Sequence, residues 1–176
     1  SWRYFLNVVN GTDLKFGRDI YFTYGPLGYL FYLMKLPGNT IEYWSGIVIW
    51  GIIFLFHLWM LLQLYRLYQK GKIHFWAITA SVCCYLAGYY APTRDNYLLY
   101  LMILAVVLWA KGAKNIVLIP NLLLLLMFFG KFSTFTSGFA FCILFCIFDV
   151  LFRKNWKSIW LFLPGIILMP VCYLVY

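Results

Sequence analysis

Three short polar groups interrupt an otherwise apolar chain, and each carries side chains able to do chemistry. The first is Gly17-Arg18-Asp19-Ile20-Tyr21-Phe22-Thr23-Tyr24-Gly25-Pro26-Leu27-Gly28. Gly25 and Gly28 let the backbone turn and Pro26 fixes it. Arg18 and Asp19, a cation and an acid beside a rigid turn, are what a charged substrate would need. The second group is Pro92-Thr93-Arg94-Asp95-Asn96. Arg94 offers a planar fork for a phosphate, while Asp95 or Asn96 serves equally well as the cap of a following helix. The third is Gly130-Lys131-Phe132-Ser133. Lys131 can meet an anion, or simply snorkel to lipid headgroups. Spacing alone leaves the chemical and the plain structural readings of all three open. If they share one cleft, its cations and one or two carboxylates suit a phosphate-bearing lipid headgroup and a general base.

The elements that would hold these groups are apolar helices. Of the 176 residues, 65% are hydrophobic and 11% charged. A soluble domain is nearer half and a quarter, and no single aqueous core of this size hides so much apolar surface. The expected fold is therefore all-α, a polytopic transmembrane helix bundle of about six spans. These run about 43–65, 75–91, 97–110, 116–129, 135–152 and 158–176. Residues 1–42 form an N-terminal external amphipathic loop with short interfacial helices, beginning at Trp2–Asn7. The third and fourth spans fall short of the usual twenty or so residues. They are shielded by neighbours, borrow flanking polar residues, or form a re-entrant pair. Pro120, Pro164 and Pro170 are expected to kink the fourth and sixth spans. The chain starts at Ser1 and ends straight after an apolar run, so we read it as a piece of a longer protein.

Charge alternates along the loops. Arg66, Lys70, Lys72, Lys111, Lys114, Arg153, Lys154 and Lys157 share one side, whereas Arg94 and Lys131 are the only short-loop cations on the other. The positive-inside bias puts the first set in the cytoplasm. Residues 1–42, Arg94 and Lys131 then face outward, with Asp13, Asp19, Glu42 and Asp95. The chain reads as an integral protein of a bacterial cytoplasmic membrane. The net charge of +9 comes from the ends of apolar runs and forms no solvated patch, so nucleic acid is not an expected partner. Cys83, Cys84, Cys142, Cys146 and Cys172 lie inside apolar runs and read as packing residues. Trp44, Trp76, Trp109, Trp156 and Trp160 read as interfacial anchors. His57 and Asn121, placed mid-span, read as hydrogen-bonded helix contacts. Asp149 pairs with Arg153 one helical turn on.

The segment Phe16–Gly28, with its Gly-Pro-Leu-Gly turn, resembles the first external loop of the GT-C superfamily. These are membrane glycosyltransferases that use polyprenyl-phosphate sugars, including protein O-mannosyltransferase-like and aminoarabinose-transferase-like enzymes. Gly130-Lys131-Phe132-Ser133 is similar to a Lys-containing motif after that family's fifth helix. The alternation of spans fits if one helix precedes Ser1. The resemblance rests on two short motifs and on topology. It departs from the family where Thr23, not an acid, stands directly before Tyr24. It implies transfer of a sugar from a polyprenyl-phosphate donor in the membrane lipid to an extracytoplasmic acceptor. An acid of the first loop, carried over to Asp19, would deprotonate the acceptor or hold a divalent metal. Arg18, Arg94, Asp95 and Lys131 would bind substrate or phosphate, and Tyr24, Gly25, Pro26 and Gly28 would shape the loop. A non-catalytic polytopic protein is the competing expectation: a lipid or small-solute transporter, a flippase, or an assembly subunit.

Overall fold

The computed structural model describes residues 27–31, 33–90, 95–113 and 116–175, with residues 5, 8, 9 and 12–14 ahead of them. The described chain is all-α. Its helices are α1 Thr40–Gln69, α2 Phe75–Tyr90, α3 Asp95–Ala110, α4 Leu118–Gly130, α5 Phe132–Arg153 and α6 Leu163–Val175. Two 3-10 turns, Gly28–Phe31 and Trp156–Leu161, precede α1 and α6.

Each helix follows from an apolar run, and each ends for a local reason. Gly71 and Gly112 adopt φ of +66° and +96° just past α1 and α3. This left-handed backbone turns the next amides back onto the last turn, Lys72 N–H to Leu67 C=O at 2.9 Å and Ala113 N–H to Leu108 C=O at 3.1 Å. Gly130 and Lys131 separate α4 from α5, where Lys131 leaves the helical region at φ −147° and ψ 108°.

The helix α1 buries Trp50, Ile53, His57, Met60, Leu64 and Leu67, a stripe spaced three and four residues apart. The opposite face is no less apolar, and Leu55, Leu58 and Leu62 are 66%, 44% and 57% exposed. Each such side chain left in water forgoes about 1.5–3 kcal/mol of burial, so this face belongs against hydrocarbon or protein. Both α1 and α5 are long and apolar enough to cross a membrane, at 30 and 22 residues with a mean hydropathy of 2.2 each.

The shorter helices occupy the centre. α3 packs against α1, α2, α4 and α5, and α4 against α3, α5 and α6. Leu98, Leu101, Met102, Ala105, Val106 and Leu108 are almost wholly enclosed, which is why α3 is hydrophobic all round. α4 is enclosed on one side only, with Leu118 and Leu122 left 70% and 49% exposed.

Several elements differ from the sequence reading. α1 and α5 extend beyond the expected 43–65 and 135–152. The last apolar segment is broken at Phe162, between the 3-10 turn and α6. Pro120 and Pro164 fall in the first turns of α4 and α6, where no helical N–H is required of them, so neither interrupts a ladder. Pro170 lies inside α6. Asn121 also sits in the first turn of α4 and not at mid-span. Of the expected helix at Trp2–Asn7 only Phe5 is described, and it is helical; from residue 27 on, the described part of the first segment forms a 3-10 turn and an irregular strap.

The bundle has two chemically different ends. At one, the Leu27–Asn39 strap meets the start of α1 and the α4–α5 junction. At the other, the side chain of Lys72 lies beside Gly112, and Asn121 bonds Trp160, so the α1–α2, α3–α4 and α5–α6 connections gather there. Arg66, Lys70, Lys72, Lys111, Arg153, Lys154 and Lys157 therefore share one end and Lys131 lies at the other.

Candidate functional site

The strap is the element that brings two of the sequence motifs together. Leu27 N–H donates to Phe129 C=O at 2.9 Å, and Leu30 N–H returns to Leu27 C=O at 3.0 Å, closing the turn that Gly28 opens. The indole N–H of Trp50 reaches out from α1 to Leu30 C=O at 2.6 Å. The Tyr29 and Ser45 hydroxyls lie 3.3 Å apart. Asn39 precedes α1 but leaves the helix uncapped. Its amide faces back into the strap, accepting from Leu36 N–H and donating to Met34 C=O, each at 2.8 Å. Buried backbone groups need such partners, so the strap is held to α1 and α4 at both of its ends.

Beside this turn, Lys131 opens α5. Its carbonyl accepts the Thr134 and Phe135 amides, both at 3.1 Å. Ser133, Thr136 and Ser137 are exposed on the first turns, and the latter two hydroxyls donate to Ser133 C=O at 2.9 and 3.0 Å. Phe128, Phe132 and Phe135 pack ring against ring beneath them, fixing the α4–α5 corner. A lysine and three hydroxyls at the positive end of a helix dipole favour negative charge at this spot.

Of the residues singled out from sequence, Gly28 and Lys131 are thus placed at one end of the bundle. Asp95 is the first residue of α3. Arg18, Asp19, Tyr24, Gly25, Pro26 and Arg94 lie outside the described residues. Among the described residues no three His, Cys, Asp or Glu side chains gather as metal ligands.

A second polar cluster lies inside the bundle, and the sequence reading found only its middle member. His57 of α1 is fully buried. Its Nδ1 is 2.5 Å from the Tyr97 hydroxyl of α3, and its Nε2 is 3.2 Å from the Ser81 hydroxyl of α2. Tyr100 donates to that same Ser81 oxygen at 2.6 Å. Tyr85 closes edge-on over the imidazole, with ring centroids 5.0 Å apart. A neutral imidazole has one donor and one acceptor nitrogen, so either tautomer can satisfy a hydroxyl on each side. The result is an unbroken hydrogen-bonded chain through three helices. A signal was present in sequence: Tyr97 and Tyr100 are three apart on one helix face, opposite a span containing a lone His.

The other flagged residues are structural. Asp149, 1% exposed, accepts from the Asn155 amide at 2.8 Å and pairs with Arg153 at 3.5 Å. Cys146 donates to Ser158 C=O and Cys142 touches Met102 sulfur. Asn121 donates to Val117 and Trp160 carbonyls at 2.9 and 3.0 Å and accepts Gly165 N–H at 2.8 Å, fastening α6 to α4. Trp44, Trp76, Trp156 and Trp160 are more than half exposed near helix ends, as interfacial anchors should be. Trp109 is instead half-buried, edge-on to Phe145. Comparison with protein-family models, curated proteins and solved structures finds no match to this chain.

Proposed function

We propose that this chain is part of a membrane glycosyltransferase of the GT-C type, moving a sugar from a polyprenyl-phosphate donor to an extracytoplasmic acceptor. The observation that carries the proposal is the 2.9 Å bond from Leu27 N–H to Phe129 C=O. It sets Leu27 and Gly28, the described end of the Gly-Pro-Leu-Gly motif, against the Gly130–Lys131 corner, which supports assigning the two motifs of the resemblance to one end of the bundle. In this reading all six helices cross the bilayer. The end rich in Arg and Lys faces the cytoplasm and the strap faces outward.

The proposed chemistry is a displacement at the sugar's anomeric carbon. The acceptor oxygen forms the new bond to that carbon, and the bond from carbon to the phosphate oxygen breaks. The electron pair leaves with the phosphate, whose growing charge Lys131 and Arg94 stabilise. Asp19 takes the acceptor proton. By the same resemblance Gly25, Pro26 and Gly28 would shape the loop that carries Asp19.

The test is a transfer assay on the full-length protein in vesicles with labelled lipid-linked sugars. Loss of one such charge stabiliser typically costs about 10²–10³ in turnover. Lys131→Ala and Asp19→Asn should therefore each fall at least tenfold, with Lys131→Arg recovering part of the loss. Undiminished turnover in both variants removes the site, and the absence of turnover with every donor removes the activity.

A second reading has its own observation. The His57–Tyr97–Ser81–Tyr100 chain is buried polar surface in a bundle otherwise apolar at that level, as in proteins that move a proton or solute through the membrane. A pH-jump in vesicles carrying the protein tests its proton-moving form, since only a proton transporter dissipates the gradient.

A further inference from the structure

The helices α1 and α4 flank α3 and leave between them a cavity of about 220 Å³. Met60 and Leu101, almost fully enclosed, lie at its floor. Ile52, Phe56 and Leu122, 47%, 40% and 49% exposed, form its lateral mouth. The lining is Ile, Leu, Phe and Met throughout. Along α1 it extends from Ile49 to Met60, about 16 Å of helix at 1.5 Å per residue.

The size decides what can fill it. A resident water needs two to four polar partners and finds none here. A helix about 10 Å across would displace on the order of 1000 Å³ over that length, more than the roughly 710 Å³ of empty space in and around the groove. A single hydrocarbon chain fits a slot that is long, narrow and wholly apolar. A cavity of about 150 Å³ elsewhere is known to take up benzene.

We propose that this groove holds one acyl chain of a bilayer phospholipid, entering sideways between α1 and α4. The proposal rests on the membrane placement put forward above and not on the transfer chemistry. The chain completes the packing of a face that the protein's own side chains leave open. Left empty, the groove deprives its lining atoms of dispersion attraction on one side, and a hydrocarbon occupant restores it.

The experiment uses the full-length protein in phosphatidylethanolamine–phosphatidylglycerol vesicles carrying a phospholipid with a photoreactive diazirine in its acyl chain. Adducts are mapped by peptide mass spectrometry. Labelling at Ile52 and Leu122 should exceed, several-fold, that at Leu144 and Leu151, which are exposed on α5 at 66% and 59%. Leu122→Trp, at a position exposed enough to accept it, should fill the mouth and return groove labelling to the α5 level. Ile52→Trp should do the same from the opposite wall. Groove labelling equal to that of α5, or unchanged in both variants, overturns the proposal and leaves the membrane placement standing. No labelling at Leu144 and Leu151 sinks the membrane placement itself.

Discussion

His57 and Tyr97 are 40 residues apart in the chain, yet His57 Nδ1 lies 2.5 Å from the Tyr97 hydroxyl inside the bundle. The contact ties α1 to α3, and Ser81 extends it to α2 through the other imidazole nitrogen. Polar contacts between membrane helices average about 0.6 kcal/mol and reach about 1.7. Tyr97→Phe should therefore lower stability by that amount. His57→Leu strands the Tyr97 hydroxyl in an apolar interior, while Ser81 keeps Tyr100, and should cost about 1–3 kcal/mol. Thermal unfolding in mild detergent measures both. No loss in Tyr97→Phe together with a gain in His57→Leu would show that the chain of hydroxyls contributes nothing to folding.

Asn121 and Gly165 form the fastening of α6. The Asn121 amide meets three backbone groups from Val117, Trp160 and Gly165. A Cβ on Gly165 would come within 3.1 Å of Asn121 Oδ1 and 3.2 Å of its carbonyl. The backbone oxygen cannot retreat far. Asn121→Leu should destabilise by about 2–4 kcal/mol as the Trp160 carbonyl and Gly165 amide lose partners. Gly165→Ala should cost about 1–3 kcal/mol through overpacking. Limited proteolysis should cut first between α5 and α6 in either variant. Cleavage elsewhere first would place the weak point in another part of the bundle.

Lys154 takes φ 55° at the end of α5, where its amide bonds Val150 C=O and that of Asn155 bonds Asp149 C=O. A side chain in this conformation costs about 1–2 kcal/mol, and glycine is free of that penalty. Lys154→Gly should raise stability by about 1 kcal/mol, less any benefit of a cation at the helix C-terminus. A fall in the detergent unfolding temperature would mean that the charge outweighs the backbone.

Much of this architecture was legible in the residues. Long apolar runs broken by glycine, proline or clustered charge mark every helix, because outward and buried surfaces are equally apolar and only the breaks stand out. Asp149 with Arg153 could be paired from their spacing. Pro120 and Pro164 were misplaced because an apolar run does not reveal its own first helical residue, and only mid-helix proline interrupts a ladder. The reach of Trp50 to the Leu30 carbonyl was hidden, since it joins a helix to an irregular strap with no periodicity. The partners of His57 were half legible: Tyr97 and Tyr100 share a helix face by their spacing, but which helix that face meets shows only once the neighbour is placed.

The orientation makes its own prediction. Single cysteines replacing Lys35, in the strap, and Lys154, past α5, stand at opposite ends of the bundle. In intact cells an impermeant thiol reagent should modify the first and not the second, against a background with Cys83 and Cys84 replaced. Modification of the Lys154 site alone would invert the bundle and remove the extracytoplasmic site from the Lys131 end. Equal modification of both would place the two ends on one side of the bilayer.

The helices differ greatly in length, and the membrane placement proposed above would require one bilayer to accommodate them all at once. At 1.5 Å per residue, the 13 residues of α4 reach only about 20 Å, whereas the 30 residues of α1 reach about 45 Å. A hydrocarbon layer is about 30 Å thick. In the proposed membrane placement the bilayer would be drawn thin on the flank of α4 and α6, and its leaflets would approach each other there. On the flank of α1 the helix would tilt or lift its ends into the headgroups. So placed, the protein would carry an asymmetric collar of deformed lipid, and a thin membrane would suit it better than a sterol-thickened one.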